Sequence, residues 1–187
     1  SFKAYLHEIQ AVSDAIGGLV DTLQTSGLWD RTVLVIGADH GEGFNKHKGV
    51  AYHNIALYEE ILHVPLIVRV PGVAPRIVDA PVSLIDVGPT VLDLYGLPTP
   101  GSYMGQSLLP YLRGQNPVLT RPIAASSVTG ATALYRFPFK VIDDKEKGTL
   151  EVYDLEKDPD ERSNLADTQG AELQGLLRAL MAVHAPR

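Results

Sequence analysis

Two short apolar runs constrain the fold of this chain more than any other feature. The first, TVLVIGA, extends from Thr32 to Ala38, and the second, PLIVRV, extends from Pro65 to Val70. Both are uninterrupted and rich in β-branched residues, which is typical of strands covered on both faces, as in a parallel sheet. A helix is predicted before them over residues 2–25, because apolar residues recur there at steps of three and four and Gly27 stands where a helix ends. This order of elements predicts an α/β fold with a mostly parallel sheet.

The second half of the chain changes character. SLIDVGPTVLDLYGLP predicts a helix with Pro89 in its first turn, and a single helical turn is predicted near Leu108 to Leu112. From Arg121 onward four short strand-like runs follow, and the turn-rich DDKEKG between the last two predicts a hairpin. AELQGLLRALMAVH then predicts a terminal helix. We therefore predict two parts: residues 1–118 belong to an α/β domain, and residues 119–187 form a small antiparallel sheet plus the terminal helix.

Composition excludes several kinds of partner and chemistry. The chain has 16 basic and 22 acidic residues, a net charge of −6, and no basic stripe, so we predict no nucleic-acid partner. It has no cysteine, which excludes disulfides, thiolate-ligated zinc and a thiol nucleophile within it. No apolar run approaches the roughly 20 residues of a membrane span, so no membrane partner is predicted. Nothing here indicates a cellular location. The chain opens without Met directly on a helix, and we expect it to be cut from a longer protein.

An acid and a histidine end the first apolar run. Asp39 and His40 follow it directly, and ligands of open α/β sheets bind beyond the carboxyl ends of the strands. A carboxylate beside an imidazole suits a divalent cation: the oxygen favours Ca²⁺, Mg²⁺ or Mn²⁺, and the nitrogen shifts the preference toward Mn²⁺ or Zn²⁺. The alternative interpretation is a turn-forming acid beside a hydrogen-bonded histidine.

Basic side chains crowd the loop that follows. Four of them come before the next helix: Lys46, His47, Lys48 and His53. Cations fixed beside a metal ion can hold a tetrahedral anion and neutralise charge that develops on its oxygens, so the loop suits oxyanion transfer. A solvated loop is the alternative. We expect three glycines to make this loop mobile: Gly41, Gly43 and Gly49.

Glu59 and Glu60 look like a catalytic carboxylate pair. Neighbouring residues on a helix point about 100° apart, however, so both are expected to be surface charges.

Four separated stretches together resemble a known family. They are VLVIGADHGEGFNKHK, LYEEILHVPLIVRVPG, PVSLIDVGPTVLDLYGLPTP with GQSLLP, and EVYDLEKDPDERSNLA. In this order they are similar to consecutive landmarks of the sulfatase family, within the alkaline phosphatase superfamily, and they cover nearly the whole chain. The resemblance implies the C-terminal half of a sulfatase: the latter part of its alkaline-phosphatase-like α/β domain, then a small antiparallel sheet and a terminal helix.

The resemblance also implies roles for the site residues. Asp39 and His40 would ligate a divalent cation, with Ca²⁺ as the first expectation and Mn²⁺, Mg²⁺ or Zn²⁺ as alternatives, because many members carry Asn at the place of His40. His53 would hold the sulfate of a small-molecule sulfate ester or its leaving oxygen. His47 and Lys48 compete with His53 for this catalytic work.

One family feature is missing from the sequence. Sulfatases attack with a formylglycine made within a C-x-P-x-R or S-x-P-x-R motif, and neither motif occurs here. The resemblance implies that this nucleophile and further metal-binding aspartates lie in an N-terminal half of the catalytic domain, which would be a partner of this chain. Alone, the chain should be inactive, and the surface bared by the missing half should favour homo-oligomers. The alternatives are a phosphoesterase or phosphonate monoester hydrolase of the same superfamily, or a non-catalytic anion-binding module.

Overall fold

The computed structural model describes residues 2–53, 56–117 and 121–167. They form two compact units, the first from residues 2–38 and 65–78 and the second from the described residues of 39–64 and from 79 onward. The chain therefore leaves the first unit after Ala38 and returns to it at Pro65. The predicted boundary between residues 118 and 119 lies outside the described residues, so the division at that point stays a prediction.

The first unit combines one long helix with two strands. Its elements are α1 (Phe2–Thr25), a 3₁₀ turn (Trp29–Arg31), β1 (Leu34–Gly37) and β2 (Leu66–Arg69). The predicted helix and both predicted strands are confirmed. The two strands pair antiparallel, with Leu34 opposite Arg69, so the parallel direction expected for this pair is wrong. An uninterrupted apolar run indicates coverage of both faces but says nothing about strand direction, and a long connection permits either one.

The second unit is built on a four-stranded antiparallel sheet. Its strands lie in the order β3 (Ile123–Ser126), β4 (Thr132–Arg136), β5 (Phe139–Asp144) and β6 (Thr149–Asp154). The predicted antiparallel sheet is confirmed, as is the hairpin at DDKEKG, which joins β5 to β6 and contains Gly148 at a φ of 65°.

Alternation along β5 and β6 gives the sheet two apolar faces. Leu134, Val141 and Val152 form a buried cluster on one face. On the other face Ile142 and Tyr153 are buried with Leu57, a residue that precedes α2 (Glu59–Leu62). Since Lys140 shares a face with Ile142, the strand directs this lysine toward α2 as well.

A buried aspartate organises the middle of the chain. Asp86 ends a 3₁₀ turn before α3 (Val87–Leu94) and is fully buried. Its carboxylate accepts hydrogen bonds from the backbone N–H groups of Ser83, at 2.9 Å, and Gln106, at 2.8 Å, and from the Arg121 guanidinium. The predicted helix with Pro89 in its first turn is thus confirmed, as is the helical turn, which is α4 (Leu109–Leu112).

Two predictions concern larger features of the chain. The terminal helix lies outside the described residues. Within the described ranges, none of the helices is both long and apolar enough to span a bilayer.

Candidate functional site

The Asp39–His40 pair is arranged like two ligands of one ion. The His40 Nδ1 atom lies 2.9 Å from the Gly41 carbonyl oxygen, which can only accept a hydrogen bond, so Nδ1 carries the proton. In the neutral ring the other nitrogen, Nε2, carries the lone pair, and it lies 3.7 Å from Asp39 Oδ2. Metal-ligating histidines commonly donate their second ring N–H to a carbonyl in this way. The donor set of a carboxylate oxygen and an imidazole nitrogen thus fits a divalent cation.

This pair alone would not fill a coordination shell. No group of three or more potential ligands from His, Cys, Asp or Glu occurs among the described residues. The Asp39 side chain is 90% exposed. Further ligands would therefore be water molecules or groups other than the His, Cys, Asp and Glu side chains of the described residues.

His53 lies directly against this pair. Its ring stacks on that of His40, with 3.7 Å between the centroids and 14° between the planes. Its Nδ1 atom lies 3.3 Å from Glu42 Oε2. The carboxylate orients the ring, and the Nε2 side of His53 can then face a ligand. Glu42 was not predicted as a site residue, although its place three residues after Asp39 in ADHGE was a usable signal.

His47 belongs to a different, buried group. Its Nδ1 atom lies 2.6 Å from Glu60 Oε1 and its Nε2 atom lies 3.0 Å from the Glu161 carbonyl oxygen. The ring also stacks on Tyr58, with 3.8 Å between the centroids, and the side chain is 12% exposed. Both nitrogens are thus engaged in holding the protein together.

The two lysines of the loop also differ. Lys46 pairs with Asp160 at 2.7 Å, and its ammonium lowers the pKa of that carboxyl. Lys48 is exposed and borders a cavity of about 330 Å³, which Tyr58 and Lys147 also line. The structure therefore brings together Asp39, His40 and His53 but does not place His47 or Lys48 in that group.

The loop glycines permit close backbone contacts. A Cβ atom at Gly41 would lie 2.1 Å from the Glu60 carbonyl oxygen, and one at Gly43 would lie 2.4 Å from that of Val50. The Gly41 N–H donates to the Ile61 carbonyl at 2.7 Å, which fastens the site to α2. Each of these two glycines is needed because a side chain would collide where two backbone segments touch. The expected mobility of the loop stays a prediction.

Glu59 and Glu60 are not surface charges, and that expectation is wrong. Their side chains are only 19% and 8% exposed. Glu59 Oε1 accepts from the Tyr135 hydroxyl at 2.7 Å and from Lys140 Nζ at 2.9 Å. The partners of Glu59 lie 76 and 81 residues away, and the partner of Glu60, His47, lies 13 residues away, so helical periodicity could not reveal their burial.

Lys140 lies between two carboxylates. It is fully buried, and its Nζ atom lies 2.9 Å from Glu59 Oε1 and 2.7 Å from Glu161 Oε1. Burial would raise the pKa of Glu59, but Lys140 and the Tyr135 hydroxyl outweigh it and lower that pKa. Burial raises the pKa of Glu161 despite the same lysine. The two acids therefore differ in how readily each takes up a proton.

Tyrosines complete this polar interior. Tyr58 and Tyr153 donate to the same Glu151 oxygen, at 2.9 and 2.6 Å. Burial raises the pKa of both tyrosines, and the Glu151 carboxylate raises them further. The hydroxyls therefore remain protonated donors at neutral pH.

The sequence of this chain is similar to those of known proteins. The family model described as Sulfatase matches residues 1–97. A delta 4,5-hexuronate-2-O-sulfatase of Bacteroides thetaiotaomicron is 33% identical over 193 residues, which cover 95% of this chain and 40% of the relative. The chain thus spans 40% of the length of this curated relative.

Solved structures agree with these sequence matches. A 2-O GAG sulfatase superposes with a TM-score of 0.83 at 29% identity, covering 92% of this chain and 40% of that one. A phosphonate monoester hydrolase from Silicibacter pomeroyi superposes with a TM-score of 0.77 at 26% identity, covering 90% and 37%. The predicted α/β fold of the alkaline-phosphatase-like class is thereby confirmed.

Proposed function

Because this chain belongs to the sulfatase family, we propose that it forms the C-terminal part of an enzyme that hydrolyses sulfate monoesters. The observation that carries the proposal is the Asp39–His40 pair, in which His40 Nδ1 is occupied by a carbonyl and Nε2 faces the carboxylate. Asp39 and His40 are the proposed ligands of a divalent cation, with Ca²⁺ expected first. When bound, that cation would supply a Lewis acid and a fixed positive charge for the sulfate oxygens.

The side chains around this pair are proposed to bind and orient the sulfate ester. His53, held at Nδ1 by Glu42, is proposed to direct Nε2 toward the ester. When the ring is the imidazolium, with a proton on both nitrogens, it can give the Nε2 proton to the leaving oxygen and become neutral. Lys48 is exposed on the same loop but outside this group, so its proposed contribution is long-range attraction of the anion and not contact with it. His47 has both ring nitrogens occupied, so its proposed contribution is to hold the loop and not to contact the substrate.

The nucleophile is proposed to come from another segment. No C-x-P-x-R or S-x-P-x-R motif occurs in the sequence, and the chain covers 40% of its sulfatase relative. We propose that an N-terminal half supplies the formylglycine and the remaining metal ligands, and that this chain by itself turns over no substrate. Nucleic acid and membranes are not among its proposed partners.

Metal binding tests the proposal directly on this chain. Ca²⁺ added at millimolar concentrations should shift the NMR signals of the Asp39 amide and the His40 ring. The Asp39→Ala variant should lose these shifts. The control variant Asp79→Ala, which replaces another exposed aspartate of the second unit, should keep them. Equal shifts in wild type and Asp39→Ala, or none in either, would contradict the assignment.

One neighbour favours a second function. The likeness to a phosphonate monoester hydrolase, at 26% identity, makes phosphonate or phosphate esters the competing substrate class. The test uses a protein that joins this chain to a nucleophile-bearing N-terminal half. Its turnover of an aryl sulfate should be compared with its turnover of a phenyl phosphonate ester. Preference for the phosphonate would replace the proposed substrate class without affecting the metal ligands.

A further inference from the structure

Three consecutive residues near the end of the described chain hold the loop of the candidate site. Asp160 pairs with Lys46 Nζ at 2.7 Å. The Glu161 carbonyl oxygen lies 3.0 Å from His47 Nε2. The Arg162 guanidinium donates to the Lys46 carbonyl oxygen at 2.8 Å. These contacts join segments more than one hundred residues apart, so residues 160–162 act on the loop as one unit.

The Glu161 side chain reaches the other support of the site. Its Oε2 atom accepts a hydrogen bond from the Glu59 N–H at 2.6 Å, at the first residue of α2. Its Oε1 atom lies 2.7 Å from Lys140 Nζ. Two residues further along α2, the Ile61 carbonyl accepts from the Gly41 N–H, next to His40. One side chain thus connects the sheet to the helix against which the site residues rest.

The backbone of Glu161 is held in an uncommon conformation. Its φ is 52°, a left-handed value that non-glycine residues seldom adopt and that persists where surrounding contacts fix it. In this conformation its carbonyl meets His47 while its fully buried carboxylate meets Lys140 and α2. The conformation therefore serves two contacts at once.

We propose that Glu161 is a positioning residue for the candidate site: it fixes α2 through its carboxylate and the loop through its carbonyl contact with His47. This inference rests on the proposed function for the identity of the site, but the positioning can be measured without metal or substrate. On this view His47 transmits the position of residues 160–162 to the loop that carries His40 and His53.

Amide hydrogen exchange of the chain, followed by NMR, tests the proposal. Glu161→Ala should speed exchange at Gly41, Asn45 and Val50 by about tenfold or more, because their hydrogen bonds depend on the held loop. Glu161→Gln, which keeps an oxygen for the Glu59 N–H, should have a smaller effect. Amides of β5 and β6 should speed up by a clearly smaller factor than those of the loop, because Glu161 also pairs with Lys140 on β5. The exposed control Glu156→Gln should change neither region.

The His47 ring gives a reading that general destabilisation does not. In wild type its Nε2–H should give an exchange-protected imidazole signal, which His47→Ala removes and thereby assigns. Glu161→Ala should shift or lose this signal. An unchanged signal together with unchanged loop exchange overturns the proposal, and so does an equal rise of exchange in loop and sheet.

If neither Glu161 variant folds, His47→Ala takes their place: faster loop exchange with an intact sheet supports the proposal, and unchanged loop exchange overturns it. If the loop responds as expected but Ca²⁺ shifts no signal of Asp39 or His40, the proposed function fails while the positioning role stands. If Ca²⁺ shifts these signals but the loop does not respond, the positioning role fails while the proposed function stands.

Discussion

Replacing Lys140 by Met should destabilise the second unit more than almost any other single change. Lys140 is fully buried, and it is the cation between Glu59 and Glu161, at 2.9 and 2.7 Å. Met has a similar length and fills most of the same space, so the loss is chiefly that of the positive charge. Removing one partner of a buried ion pair costs about 3–5 kcal/mol, because the remaining charge is left without compensation. For a chain of this size that corresponds to a fall in Tm of roughly 6–20 °C.

Urea unfolding followed by circular dichroism at pH 7 measures this cost. Lys145→Met is the matched control, because Lys145 is exposed on the β5–β6 turn and its replacement should change the free energy of unfolding by less than about 0.5 kcal/mol. The double variant Lys140→Met with Glu161→Gln should be more stable than Lys140→Met alone, since one uncompensated charge is removed. The coupling energy between the two positions should be about 0.5–3 kcal/mol.

The pH dependence of the same variant follows from its charges. Without the lysine, Glu59 and Glu161 are more easily protonated, so the folded state of Lys140→Met takes up protons more readily than its unfolded state. Its deficit relative to wild type should therefore shrink as the pH falls from 7 toward 4. A loss below about 1 kcal/mol at pH 7, or a deficit that does not change with pH, would refute the assignment of Lys140 as a buried counter-ion.

Three other substitutions should have defined effects on stability. Asp86→Ala leaves two backbone N–H groups and the Arg121 guanidinium without their acceptor and should cost about 3–5 kcal/mol by urea unfolding, whereas Asp79→Ala should be nearly neutral. Gly41→Ala places a Cβ 2.1 Å from the Glu60 carbonyl and should cost about 1–3 kcal/mol; Gly101→Ala, with nothing within 4 Å, is its control, and equal stability of the two variants would disprove the close contact. The pKa of Glu59 is lowered on folding, so its contribution to stability is present above pH ~4.3 and lost as the pH falls through the folded pKa. Glu59→Gln should therefore be less stable than wild type at pH 7 and should lose less stability on acidification, and parallel acid titrations of the two proteins would contradict this.

Local patterns predicted the elements of this fold well. Three of the four strand-like runs predicted after Arg121 are TALYRF, FKVID and TLEVYDL, and β4, β5 and β6 form there. The helix around Pro89 was readable because proline is tolerated only in a first turn. Strand direction in the first unit was not readable, since it depends on how the chain returns and not on the composition of β1 or β2.

The burial of the charged side chains could not be predicted from the sequence, for a physical reason. Lys140 stands in the strand-like run FKVIDD and Glu59 in LYEE, and neither local pattern predicts that the charged side chain is buried. The two residues are buried because each neutralises the other across eighty positions of sequence, together with Glu161. A carboxylate's burial is therefore a property of its partner's location, which no local pattern contains.

The residues of the candidate site also differ in how far local sequence predicts their contacts. Asp39 and His40 were predicted as ligands because ligands commonly bind at the ends of strands, and this role stays a prediction. Their adjacency in sequence makes them adjacent in space. His47 was predicted in the same catalytic set, but its nitrogens are taken by Glu60 and Glu161. The sequence shows that a residue is basic, and only the fold shows whether its donors are already used.

The exposure of Asp39 leads to a final prediction, on the affinity of this chain for Ca²⁺. Ca²⁺ takes six to eight oxygen ligands, and sites with few protein charges bind it with Kd values on the order of 10⁻⁴–10⁻³ M. Here one carboxylate that is 90% exposed and one imidazole offer two positions, so water must fill the rest and the attraction is screened. We expect a Kd in the millimolar range in an NMR titration, and at least tenfold tighter binding when a segment bearing the remaining carboxylates is joined to the chain. Micromolar binding by this chain alone would mean that further ligands lie within it, contrary to the two-ligand arrangement inferred here.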